Sequence, residues 1–288
     1  MASLVAILAM AVADARPPAS RTFGLVSVAD GEPYTVIRGA TLYTGGKGVT
    51  LESGDIIETG PQAFLVVEMH GGSLLGIGPS THLYILPRGD TLVILSGWVK
   101  ADIRAEKAAP LSLLGTRLGI QSRQAVVLLH AGESTDQVFD ENGLATLLVR
   151  DGAATRVSRA AGTNQFFVRD ERNDVLSQPR PSPEFVEGMP IAFHDPLPEK
   201  ASSLLKKLAD LVRVREVSYG DLERWLAMPR DWRAGFIPRF RARIKDPAFF
   251  AAMDAHMARH PEWQTVLHPP PPEEPPPPNA ARAAPRPL

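Results

Sequence analysis

Through residues 23–169 the apolar positions recur with a short period. Residues 98–103 show it most plainly: Val99, Ala101 and Ile103 fall on one side of an extended chain, Lys100 and Asp102 on the other. Comparable runs, rich in Val, Ile, Leu and aromatics and bounded by Gly, Asp, Asn, Ser or Pro, predict strands at 24–28, 34–38, 64–69, 74–77, 83–86, 91–95 and 98–103. A second group is predicted at 125–129, 144–149, 154–158 and 165–169. No amphipathic helix of ordinary length interrupts them. The expected fold is mainly β, a sandwich or barrel-like roll of short antiparallel strands over residues 16–175.

The pattern then changes twice. Residues 176–198 carry Pro179, Pro181, Pro183, Pro190, Pro196 and Pro198, which block helix and central strand and predict an extended linker laid over the surface. Beyond it a helical period sets in, predicting a small α-helical C-terminal domain over 199–268. Leu204, Leu205, Leu208, Leu211 and Val212 form an apolar stripe, with Lys206, Lys207 and Asp210 outside it. Ser218 with Asp221 three positions on reads as a capping box, with Leu222, Trp225 and Leu226 facing inward. Asp246-Pro247 reads as an N-cap followed by proline at the first helical position, before Phe249, Phe250, Met253 and Met257. The tail 269–288 is proline-rich and unable to form a core, so a disordered polyproline-type extension is expected.

Composition narrows the chemistry. The chain has no cysteine, which excludes thiol nucleophiles, disulfides, zinc–cysteine sites and iron–sulfur clusters. A formal net charge of -1 over 288 residues exerts no global pull toward nucleic acid. Residues 4–12 are apolar and lead to Ala13-Asp14-Ala15. That run is shorter than the roughly 20 residues a membrane span needs and fits a signal peptide, 1–15, without the usual preceding Lys or Arg. Export to the periplasm is the expectation, with no integral membrane segment; the missing charged part leaves open a start codon further upstream.

The candidate motifs are each incomplete. Gly76-Ile77-Gly78 does not continue as a dinucleotide fingerprint, because the next required glycine is Thr81 and no helix follows. Ser80 lacks the glycine two positions on that a nucleophile elbow needs. His256 and His260 are spaced to share a helix face, but Met257 stands where a metalloprotease has Glu. His70, His82, His130 and His194 occur singly. Asp140-Glu141 and Asp170-Glu171 read as solvated acids beside turns rather than a glycosidase pair. Arg239, Arg241, Arg243 and Lys245 are two apart, which spreads them around a helix. No catalytic, cofactor-binding or metal-ligating residue is therefore assigned, no cofactor is expected, and the protein reads as non-enzymatic.

One stretch carries more. Gly54-Asp55-Ile56-Ile57-Glu58-Thr59, then an apolar run at 65–69, Gly71-Gly72-Ser73, and Pro79 with Thr81 resemble, in order, the turns and strands of the FecR-like domain of bacterial cell-envelope proteins. One departure is Gly71, where that family usually has Asp. The resemblance covers about residues 23–169. It implies an exported β module whose partners are envelope proteins or cell-wall polymer. The family's regulator relays a ferric-siderophore signal to a sigma factor through a cytoplasmic segment and a transmembrane helix. Neither is read in this sequence, so sigma-factor control does not carry over. Two other readings stay open: a carbohydrate- or peptidoglycan-acting enzyme with its carboxylates in the β domain, and a cytosolic regulator.

Overall fold

The computed structural model describes residues 22–104, 109–152, 154–170, 172 and 174–270; the expected signal peptide and residues 271–288 of the tail lie outside the described residues. Contacts divide the chain into two units. One comprises Met1–Arg38 with Leu42–Val214, the other Gly39–Thr41 with Arg215–Leu288.

The first unit is built on β1 (Thr22–Asp30), β2 (Tyr34–Arg38), β3 (Thr41–Gly45), β4 (Thr50–Glu52), β5 (Ile56–Glu58), β6 (Phe64–Met69), β7 (Leu74–Ile77), β8 (His82–Ile85), β9 (Thr91–Arg104), β10 (Leu111–Leu114), β11 (Leu118–Ala131), β12 (Thr135–Asp151), β13 (Ala154–Gly162), β14 (Gln165–Asp170) and β15 (Val175–Gln178). With β16 (Val212–Glu216) they form one mixed, mostly antiparallel sheet that runs β15-β14-β12-β11-β10-β9-β8-β5-β2-β3-β16. β1 pairs with β4 and β6, and β7 with β6 and β9. The protein is mainly β, with small helices toward the C-terminus.

Several strands are longer than their sequence pattern predicts. The runs at 91–95 and 98–103 are one strand, β9, which changes neighbours near Gly97: its first half pairs β8 and β10, its second half β7 and β11. Gly97 has φ +94, and a Cβ there would collide with Thr81, so only glycine lets the strand pass through this point.

Alternation along the strands divides the apolar residues between two faces. Val127 and Leu129 of β11 belong to a large inner core with Val36, Leu65, Val99 and Phe167, while Leu128 between them faces a second cluster with Trp98 and Phe166. That second cluster is completed by Phe185, Phe193 and Leu197. The proline-rich segment is thus not a plain surface linker: Phe185, Phe193 and Leu197 are buried against the sheet, while Leu176, Val186 and Ile191 stay exposed. Helix α1 (Pro183–Gly188), capped by the Ser182 hydroxyl accepting from the Phe185 amide, presents the first of these anchors.

A second correction concerns the leucine stripe. Residues 201–204 form a single 3-10 turn, Leu204 and Leu208 are exposed, and Val212 begins β16. The predicted helix is absent there. The later helix starts match: α2 (Tyr219–Leu226) opens with the Ser218–Asp221 capping box, and α4 (Pro247–Ala255) with Asp246 accepting from the Ala248 and Phe249 amides, although α4 ends before Met257. Short α3 (Phe236–Phe240) and α5 (Gln264–Leu267) complete the second unit, whose core holds Leu222, Trp225, Phe236, Phe240, Met253 and Trp263.

Candidate functional site

The Gly-Asp-x-Ile-x-Thr stretch is a set of structural pins. Asp55 is buried and accepts from Arg38 Nε at 2.9 Å, from Arg38 Nη2 at 2.6 Å and from the Glu52 amide at 2.8 Å. Burial pushes its carboxyl above the ordinary value, and the Arg38 guanidinium opposes that push. The Thr59 hydroxyl donates to Gly78 O at 2.7 Å and accepts from the Thr81 amide at 2.8 Å. The Thr81 hydroxyl in turn accepts from the Trp98 amide at 3.0 Å. These side chains satisfy backbone groups where short strands end. At Gly71, where the family usually has Asp, φ is +79, a conformation glycine adopts without strain.

The other candidates are scattered. Ser80 has φ 49 in the turn between β7 and β8. His82 Nδ1 lies 2.8 Å from Ser96 Oγ, and His130 stacks on Trp98 with ring centroids 4.1 Å apart. His256 and His260 do not present a shared helix face, because α4 ends before His256 and a 3-10 turn follows. The Tyr219 ring lies against both, at 5.0 and 5.9 Å. Asp140 and Glu141 point to opposite faces of β12. Asp140 is buried toward the inner core, and Glu141 pairs with Lys100 at 2.8 Å. Asp170 accepts from the Arg172 amide at 2.8 Å, and Glu171 lies outside the described residues. In the basic stretch, Arg243 pairs with Asp246 at 2.6 Å.

Two grooves are formed by described residues of the first unit. The larger, about 600 Å³, lies over β9, β11 and β12 and is lined by Asp102, Arg104, Arg123, Asn142 and Leu144. Arg104 there is engaged by Asp102 and Glu199, each at 2.5 Å. The smaller, about 320 Å³, is lined by residues that include Phe23, Met69, Arg88 and Leu111.

The feature that periodicity did not single out is an edge. Among the described residues β13 pairs only with β12, so one side of this nine-residue strand carries unpaired backbone groups. Six of its nine residues are exposed, Ser158 and Gly162 are half-buried, Ala161 is buried, and Val157 is 69% exposed. Long free edges of this kind are templates for another chain. The edge is polarised by charge as well. Arg156 Nε lies 3.0 Å from Asp151 Oδ2, and Arg169 Nη2 2.5 Å from Asp151 Oδ1. These two guanidinium groups hold the Asp151 carboxyl below its ordinary value.

No family model matches the chain, and no curated protein matches it. Two crystal structures of a proposed anti-sigma factor from Parabacteroides distasonis are similar at a TM-score of 0.37. One is 11% identical over 43% of this chain and 59% of that chain, the other 10% identical over 46% and 64%. The chain spans about three fifths of those proteins' length, and a likeness at that score carries no argument about role.

Proposed function

We propose that this protein is an exported, non-enzymatic binding module of the bacterial cell envelope, with a FecR-like β domain that takes extended partner segments onto the free edge of β13. The observation that carries the reading is the nine-residue strand hydrogen-bonded on one side only. Strand addition uses backbone hydrogen bonds for affinity and alternate side chains for specificity, which is what such an edge offers. The FecR-like part rests on the motif residues Gly54, Asp55, Ile57, Thr59 and Thr81, of which Asp55, Thr59 and Thr81 pin the strand ends by hydrogen bonds.

A photoreactive amino acid in place of Val157, introduced into the full chain in cells, tests the reading. A covalent adduct to an envelope protein is expected, together with a mature N-terminus near residue 16 by protein sequencing. Retention of Met1 would overturn export, and absence of any adduct at Val157 would overturn the edge.

A further inference from the structure

We infer that the segment taken up by β13 alternates carboxylate and apolar side chains; the inference rests on the edge-binding reading above. β13 carries a bulge opposite β12. Leu147 of β12 faces Arg159, the next residue Leu148 faces Val157, and Val149 faces Arg156, which leaves Ser158 as the extra residue. Residues directly opposed across a ladder share a face, and Leu147 and Val149 both belong to the inner core. Arg156 and Arg159 therefore lie on the same face. Three positions apart in a regular strand, they would lie on opposite faces. Measured along β12 they are two residues apart, about 7 Å.

Side-chain contacts agree with this placement. The Arg159 guanidinium sits 5.8 Å over the ring of Phe167, an inner-core residue, and has no carboxylate partner among the described residues. Arg156 shares Asp151 with Arg169. One carboxylate thus serves two guanidinium groups while a third stands beside them, and β13 itself contains no Asp or Glu. The opposite face offers exposed apolar side chains, Val157 at 69% and, on the same face of β12, Leu144 at 79%, beside Thr155, which accepts from Arg150 Nη1 at 2.5 Å.

A strand added to this edge would meet a pair of positive charges on one face and Val157 on the other. Carboxylates at every second position match the first, and β-branched apolar residues between them match the second. A second copy of this chain fits poorly, because antiparallel pairing of two β13 edges brings four arginines onto one continuous face.

Synthetic ten-residue peptides provide the test: one alternating Glu with Val or Thr, one with Lys replacing Glu, and one Glu peptide N-methylated at alternate amides. Binding to the full chain is measured by fluorescence anisotropy at low and high salt, and amide hydrogen exchange is followed over residues 154–162. The Glu peptide should bind at least tenfold tighter than the Lys peptide, weaken with salt, and protect 154–162; N-methylation in one of its two registers should abolish binding. Arg156→Gln with Arg159→Gln should lose about tenfold, and Arg156→Glu with Arg159→Glu should reverse the preference, far-UV circular dichroism showing each variant folded. Equal binding of Glu and Lys peptides, binding that leaves 154–162 unprotected, or a concentration-dependent dimer lost in Ser158→Pro would overturn the inference. If the Glu peptide fails while the adduct at Val157 persists, the acidic partner falls and the edge reading stands; loss of both removes the edge reading too.

Discussion

The Lys100 ammonium, buried in the first unit, is held 2.8 Å from the Glu141 carboxylate. Its remaining donors go to the carbonyls of Phe193 at 2.8 Å and Asp195 at 3.2 Å. One side chain therefore ties two strands, β9 and β12, to the proline-rich segment, with all three ammonium donors satisfied. Removing one partner of such a buried group leaves the others uncompensated. Lys100→Ala should cost about 1–3 kcal/mol through the carbonyls it leaves unsatisfied, read as a lowered urea midpoint, whereas Lys100→Met, which keeps the stem packed, should cost less. Proteolysis between residues 189 and 200 should accelerate in both variants.

That tie shows where sequence reasoning reached and where it stopped. Helix starts at Ser218 and Asp246 were legible because capping is local chemistry, written within four residues. Strand positions were legible from alternation, although β9 reads as two strands because Gly97 breaks the pattern without breaking the ladder. The segment 176–198 reads as a linker because Phe185, Phe193 and Leu197 stand singly between prolines and have no period; only the sheet face they cover explains them. The stripe at 204–212 failed for the opposite reason. It has a helical period, but Leu204 and Leu208 face solvent and no core draws a helix into place. The pairing of Arg156 with Arg159 on one face depends on a bulge at Ser158, and a bulge is a property of the register between two strands.

The pins of the Gly-Asp-x-Ile-x-Thr stretch should behave as stability elements with no effect on chemistry. Thr59→Val leaves the buried Thr81 amide and Gly78 carbonyl without their side-chain partner. A loss of about 1–3 kcal/mol is expected. Thr59→Ser keeps the hydroxyl and should recover most of it. Destabilisation by Ser, with Val left near the wild-type midpoint in urea titrations, would show that the methyl group, rather than the hydrogen bonds, matters.

Asp140 should make the first unit more stable in mild acid. Its carboxyl is buried with neither oxygen hydrogen-bonded, and burial alone pushes its pKa up to about 6. Its cross-strand neighbours are Val127 of β11 and Gln165 of β14, neither of them charged. A folded pKa above the unfolded value means the native state binds the proton more tightly. Ionisation therefore costs stability as pH rises from about 3.9 in the unfolded chain to about 6 in the folded one, after which the cost is constant. Asp140→Asn should remove up to about 3 kcal/mol of that cost at neutral pH. Comparing urea midpoints of the two proteins at pH 4 and pH 7 checks this: the Asn variant's advantage should appear at pH 7 and shrink at pH 4.

The second unit should respond to acid in the opposite direction, through His260. The imidazole is fully buried, neither ring nitrogen has a hydrogen-bond partner, and burial lowers its pKa. The charged groups around it are Glu262, which favours the proton, and Arg233 and His256, which oppose it. With the folded pKa depressed, the unfolded chain takes up the proton first. The stability of this unit is therefore fully present above about 6.5, the unfolded value, and is lost progressively as pH falls below it. Three of the chain's tryptophans, Trp225, Trp232 and Trp263, are buried in this unit and report its unfolding. Their fluorescence transition in urea should move to lower denaturant between pH 7 and pH 5. His260→Phe, which keeps a ring in the site and removes the titrating nitrogens, should flatten that shift. A shift of the same size in the Phe variant would assign the acid sensitivity to another group.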